Sequence, residues 1–152
     1  MDSQIRQLNE LTDEVAKHML QSVIDKKRKL DQINEKEKKI RWLLLGCLAL
    51  ICLYIFLSFQ QLAFITYHSV LSFLLSSVSH LVMILVIFSL YYYLLQVRKK
   101  SEKTEKEFHD LRCEVIQKSP DLWGDAEKWE ARQHVFSMMK EEYDVNLYYE
   151  NK

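Results

Sequence analysis

Few side chains in this sequence have a type and spacing that could do chemistry, and the most conspicuous fall in a stretch without charge. Ser69, Ser72, Ser76 and His80 lie within about 80° of one another on a helical wheel, and Ser79 extends the stripe. Small hydroxylated residues let two helices approach and hydrogen-bond across their interface. Gly46 and Ala49 could supply the small surface opposite. A polar pathway through His80 is the other chemistry this pattern allows, because an ionisable side chain in apolar surroundings is costly and commonly functional. Packing is the simpler reading.

Other constellations are incomplete. His109 and Cys113 are four residues apart, so one helix could aim both at a metal ion. A tetrahedral zinc site needs two further ligands, and only the scattered His18 and His134 are on offer; no metal is expected. The run Lys26-Lys27-Arg28-Lys29 could touch phosphates, but Asp25 and Asp31 flank it and the isoelectric point is near 7.0. Nucleic-acid-binding domains commonly exceed about 9, so no nucleic-acid partner is expected. The two glycines, Gly46 and Gly124, exclude Gly-rich phosphate loops. A nucleophile elbow, a metalloprotease His-Glu pair and an intramembrane acid are also missing. The chain is expected not to be an enzyme, with no catalytic residue and no cofactor.

The elements that would position these residues follow from charge. From Trp42 to Val97, 56 consecutive residues include no Asp, Glu, Lys or Arg, so all 42 charged side chains crowd into the other 96. No single soluble domain has that distribution. A membrane span takes about 20 apolar residues, and the block holds two with a short connection. The spacing predicts transmembrane helix 1 at 42–59, an extracytoplasmic connection at 60–71 and transmembrane helix 2 at 72–97. Trp42 and Tyr91, Tyr92 and Tyr93 stand where interfacial aromatic belts occur. With two Gly and one Pro in 152 residues, breakers are nearly absent and long helices are expected throughout. No cleavable signal precedes the first apolar run, and none is expected to be removed. Cys47 and Cys52 point about 140° apart on a helix and cannot bridge there.

The flanks read as helices too. Residues 1–41 form a net +2 arm in which Leu8, Leu11, Val15, Met19, Val23, Leu30, Ile33 and Ile40 recur at helical steps. A start near Thr12–Glu14 or near Ser3 is possible, and nothing stops the helix before span 1. After span 2, residues 98–119 continue it, with Val97, Ser101, Thr104, Phe108, Leu111 and Val115 as a heptad, coiled-coil-like seam. Ser119-Pro120 should end that helix. Residues 120–152 then form a break and a last amphipathic helix near Ala126–Glu142, capped by Asp125. Its face of Leu122, Trp129, Phe136 and Tyr143 is too aromatic to leave in water, and the helix is expected to fold back. The fold class is therefore all-α: a two-span hairpin with cytoplasmic extensions.

Several segments together resemble a known family. The hairpin followed by FHDLRCEVI (Phe108–Ile116), KSPDLW (Lys118–Trp123), HVFSMMK (His134–Lys140) and YDVNLYYE (Tyr143–Glu150) is similar to the YpbF-like proteins. These are small membrane proteins of Bacillus-type bacteria, classed as a domain of unknown function. The resemblance covers most of the chain and implies a multi-pass protein of a bacterial inner membrane. It carries over no site residues.

The expected role is a non-enzymatic, membrane-anchored interaction or scaffold protein, with Leu122, Trp129, Phe136 and Tyr143 as the interaction face. Its partners would be the lipid bilayer and either a second copy or another membrane or cytoplasmic protein. The alternative is a subunit of a small transport or channel assembly with the Ser69–His80 stripe inward. Lys and Arg crowd both flanks of the hairpin and avoid the connection, so the positive-inside rule places both termini in the cytoplasm. A topology reporter fused at Ile65 is expected to read as extracytoplasmic; a cytoplasmic readout overturns this orientation.

Overall fold

The structure, a computed structural model, describes residues 2–6, 8, 12–59, 72, 75 and 77–149. The connection expected at 60–71, and Ser69 and Ser76 of the stripe, lie outside the described residues. The fold is all-α, and no strand occurs among the described residues. In chain order the helices are α1 (Ser3–Arg6), α2 (Glu14–Phe59), α3 (Val78–Leu122) and α4 (Ala126–Tyr143). Helix α2 runs 46 residues and α3 runs 45. Their interiors hold only Gly46 in α2 and Pro120 in the last turn of α3 as breakers, and each helix continues between charged and apolar sequence without a stop. The chain divides into two compact units, Met1–Ile33 with Ser101–Lys152, and Asn34–Lys100.

The first unit closes a core from both ends of the sequence. Ala16, Leu20, Val23 and Ile24 of α2 are fully buried with Ile5 of α1, Val115 of α3, and Val135, Phe136 and Met139 of α4. The buried stripe of α2 includes Val23, Leu30 and Ile33 as expected, with Met19 packed against the core, and departs from the expected positions at Val15. Val15 is 56% exposed while Ala16, one position and about 100° further round, is buried. The stripe follows Ala16, Leu20 and Ile24 because other segments close over that side.

Two ends in this unit are set by tertiary packing. Helix α3 does not stop at Ser119 but runs to Leu122 with Pro120 inside its last turn. Proline removes one amide donor and crowds the preceding turn. That cost is small in a final turn, where Trp123 N–H still donates to Ser119 O at 3.0 Å. The extension delivers Trp123 into the core, fully buried and edge-to-face on Phe136 with ring centroids 6.0 Å apart. Its Nε1 finds no hydrogen-bond partner among the described residues, so packing alone holds the indole there.

Helix α4 begins after Asp125, whose backbone is extended as a cap requires. Its side chain makes no cap hydrogen bond and pairs with Lys128 at 3.2 Å instead. At the other end Asp144 takes the left-handed conformation (φ 54°, ψ 39°), which aspartate tolerates better than most residues. The chain reverses there, Val145 N–H donates to Met139 O at 3.0 Å, and Val145 and Leu147 drop fully buried into the core. Tyr148 then lies edge-to-face on Phe136.

The second unit holds the apolar halves of α2 and α3. They meet along one narrow seam: Leu44, Cys47, Ile51 and Ile55 on α2, and His80, Met83, Ile84, Ile87, Leu90 and Leu94 on α3. Steps of three and four define it, as in a helical hairpin. Most other large side chains point outward, among them Leu50 at 68%, Phe56 at 61%, Leu85 at 68% and Phe88 at 67% exposed. Gly46 and Ala49 do not supply a close approach. Both are exposed, and a Cβ on Gly46 would meet nothing within 4 Å. The half-buried positions of the seam are occupied by larger side chains instead.

Phe136→Ala should cost the first unit about 3–5 kcal/mol, because it opens a cavity beside Trp123, whereas Trp129→Ala should cost under about 1 kcal/mol. Denaturant unfolding of the detergent-solubilised protein, followed by helix signal, distinguishes them. Equal losses would contradict the placement of Phe136 in the core.

Candidate functional site

Within the apolar pair, one polar contact stands out. Tyr54 hydroxyl and His80 Nε2 are 3.1 Å apart, with ring centroids at 5.8 Å. His80 is only 8% exposed, and Ile51, Ile55, Met83, Ile84 and Ile87 surround the pair, leaving a gap of about 30 Å³. Each ring offers the other a hydrogen-bond partner, and an unpaired polar group in apolar surroundings is costly. The contact joins α2 to α3. Tyr54 was not singled out from the sequence, although a phenol inside an uncharged run always needs a partner.

The rest of the expected stripe does not gather around His80. Ser79 is exposed and its hydroxyl lies 2.8 Å from that of Ser77. Ser79 N–H also points to Ser77 Oγ at 3.4 Å, the arrangement of a residue closing the start of a helix. Ser72 is exposed as well.

The expected aromatic face is divided. Phe136 is 2% exposed and belongs to the core, with Leu122 and Tyr143 packed partly against it. Trp129 remains 40% exposed, with the Arg132 guanidinium 3.6 Å from its ring centroid. The same guanidinium lies 5.1 Å from the Phe136 ring, and Arg132 Nη1 donates to Ser119 Oγ at 3.3 Å. Arg132 therefore ties α4 to the end of α3 and covers part of the tryptophan.

His109 and Cys113 meet, with Sγ 3.6 Å from Nε2, and Arg112 Nη2 stands 3.4 Å from Nδ1 of the same ring. Among the described residues no three His, Cys, Asp or Glu side chains gather to hold a metal ion. The cysteines at 47, 52 and 113 are free thiols.

The basic run Lys26–Lys29 shows what sequence spacing could not. Successive residues on a helix point about 100° apart, and three of the four meet three different segments. Lys26 Nζ lies 2.5 Å from Glu107 Oε2 on α3. Lys27 pairs with Asp144 at 3.2 Å beyond α4 and with Asp31 at 3.6 Å. Arg28 pairs with Asp2 before α1, and its guanidinium carbon is 5.7 Å from the Tyr143 ring centroid. An open groove of about 400 Å³ runs beside them, lined by these charges and by Glu141 and Glu142. Its cations are already engaged by carboxylates of the same chain.

An all-α protein with two long apolar helices and a charged helical unit built from both flanks is the class these features define. The chain belongs to the family described as a protein of unknown function (DUF2663), whose pattern it matches over residues 19–150. It is similar to "Uncharacterized protein YpbF" of Bacillus subtilis (strain 168), with 40% identity over 152 residues, the full length of both chains. No solved structure matches it.

The ion pairs predict the response to acid. The hydrogen bond from Lys26 holds the Glu107 carboxyl below its ordinary 4.5, and that from Arg28 holds Asp2 below 3.8. A carboxyl whose pKa is depressed on folding contributes stability above its unfolded pKa, which is lost as pH falls through the folded value. Tyr143 is raised above 10.0, by burial first and then by the charge of Asp2. Its contribution is present below about 10 and is lost as pH rises through the raised value. Thermal unfolding of wild type should therefore weaken more between about pH 6 and 3 than that of Glu107→Gln. Parallel curves would show that the Lys26–Glu107 pair contributes nothing.

Proposed function

We propose that this protein is a membrane-anchored helical interaction module without enzymatic activity. In this reading α2 and α3 cross a bacterial cell membrane as a hairpin, both termini lie in the cytoplasm, and the unit built from 1–33 and 101–152 works in water. The observation that carries the reading is the exposure of the apolar stretches. Both helices have 18-residue windows apolar enough to cross a membrane, of which 0% in α2 and 6% in α3 is buried. The apolar core helix of a soluble protein would be covered by its own chain. Here contiguous apolar surface is left bare on two helices, and water is a poor solvent for it. Hydrocarbon about 30 Å thick is a matching one.

Two further observations support the topology. A core drawn from both flanks of the hairpin fits both flanks lying on one side of a membrane, and the Lys and Arg residues beside the apolar runs support the cytoplasmic side by the positive-inside rule. The similar Bacillus protein supports a bacterial setting. The interaction role rests on aromatic surface left outside the core: Trp129 and Tyr149 are 40% and 70% exposed. Such side chains are enriched at protein interfaces. A transport role draws no support from the stripe, whose described members with hydrogen bonds, Ser79 and His80, bond to Ser77 and Tyr54.

The test combines fractionation with crosslinking. The protein should stay in the membrane pellet after alkaline carbonate washing. A photo-reactive amino acid at position 129 should give an intermolecular adduct in cells, to a second copy or to another protein. The same group at position 136 should not. Release into the carbonate supernatant would sink the anchor, and the absence of any adduct from position 129 would sink the interaction role.

A further inference from the structure

Helix α2 carries two basic clusters, and the structure treats them differently. In Lys26–Arg28 each cation is paired with a carboxylate of its own chain. In the second cluster Lys36, Lys38 and Lys39 are exposed and make no ion pair among the described residues. On the wheel they stand at about 0°, 200° and 300°, so they encircle the helix rather than face a neighbour. On α3 the corresponding position holds Arg98, Lys99 and Lys100, all exposed, with Lys99 likewise making no ion pair among the described residues. With Arg41, these segments of the second unit carry seven cations against two acids, Glu35 and Glu37, a net +5. Glu37 is occupied by Arg41 at 2.5 Å.

Position along the helix gives the cluster a depth. Lys39 lies about 4.5 Å and Lys36 about 9 Å along the axis from Trp42, where the uncharged run begins. The headgroup layer on each side of the hydrocarbon is about 5–8 Å thick, so Lys38 and Lys39 fall within it and Lys36 sits at its outer edge, within reach of its long side chain. Trp42 is 73% exposed, and Tyr91, Tyr92 and Tyr93 are 49%, 64% and 52% exposed on the last turns before Arg98, as headgroup-level anchors would be. By the same arithmetic Lys26–Lys29 lies about 20 Å or more from Trp42, outside that layer.

We propose that this exposed collar, chiefly Lys36, Lys38, Lys39 and Lys99, is a docking surface for anionic phospholipid headgroups, which it gathers around the hairpin. The inference rests on the membrane-spanning reading above and adds the lipid class. The argument is charge complementarity. Phosphate diesters with net negative charge supply the counterions that carboxylates of the chain supply to Lys26–Arg28, and that none of the described residues supplies to Lys36, Lys38, Lys39 and Lys99. Cations at an anionic leaflet each favour it by an amount equivalent to about a fivefold preference.

Trp42 offers the probe. The full-length protein is reconstituted in vesicles of equal phosphatidylglycerol and phosphatidylcholine, with one or the other brominated on its chains, and Trp42→Phe defines the background fluorescence. Brominated phosphatidylglycerol is expected to quench Trp42 more than brominated phosphatidylcholine, corresponding to about a fivefold local preference at low salt. The preference should vanish near 1 M salt, where the screening length is about 3 Å, and in Lys36→Gln/Lys38→Gln/Lys39→Gln/Lys99→Gln. Equal quenching by both lipids in wild type overturns the proposal while leaving the hairpin in place. A full preference in the quadruple variant overturns the assignment to these lysines. Quenching by neither lipid overturns the membrane-spanning reading instead. Should the variant fail to insert, the salt titration of wild type still decides.

Discussion

Everything in this molecule is arranged around a stretch of 56 residues that offers no charge to water. A backbone in apolar surroundings must satisfy its own amides, and a helix does so within one segment. With almost no Gly or Pro to interrupt it, the helix extends well beyond the apolar part, giving α2 and α3 their 46 and 45 residues. The first and last thirds of the sequence are thereby attached to a pair of helices joined along a seam. Their meeting in one core, Ile5 and Leu20 with Trp123 and Leu147, spans nearly the whole chain. Loop-closure entropy opposes contacts so distant in sequence.

The Tyr54–His80 bond and the ion pairs of the first unit are two answers to the same problem. A polar group removed from water needs a partner of its own kind. In the seam Tyr54 and His80 partner each other across the two helices, among Ile51, Ile55, Met83, Ile84 and Ile87. In the first unit the partners are carboxylates on three segments, placed around α2 so that consecutive basic residues each find one. That helix is surrounded, which is why its buried stripe follows Ala16 and leaves Val15 outside.

Much of the fold was legible from periodicity. The heptad steps through Ser101, Thr104, Phe108, Leu111 and Val115 mark residues that are buried or half-buried, because a two-helix seam repeats with the helix itself. The last helix was legible from its aromatic spacing, and Asp125 from its position before it. The polar contacts were not legible in the same way. Tyr54 and His80 are 26 residues apart, and Lys27 and Asp144 are 117 apart. A periodic pattern says which face a residue occupies but not which distant residue faces it. Nor could it show that Pro120 would be carried inside α3, since the force overriding its local preference is the burial of Trp123 three residues later.

Composition and spacing by themselves determined that the chain is helical, that its middle is apolar and charge-free, and where its cations concentrate. These are properties of one segment at a time, set by backbone hydrogen bonding and by the partition of charge between water and apolar surroundings. Only the tertiary structure decided how those cations differ, with Lys26 to Arg28 neutralised by carboxylates and Lys36 to Lys39 left exposed. It alone placed Phe136 in the core and left Trp129 at the surface, seven residues away on the same face. The reason is that burial and pairing are decided by which other segments arrive, and no local stretch of sequence contains that information.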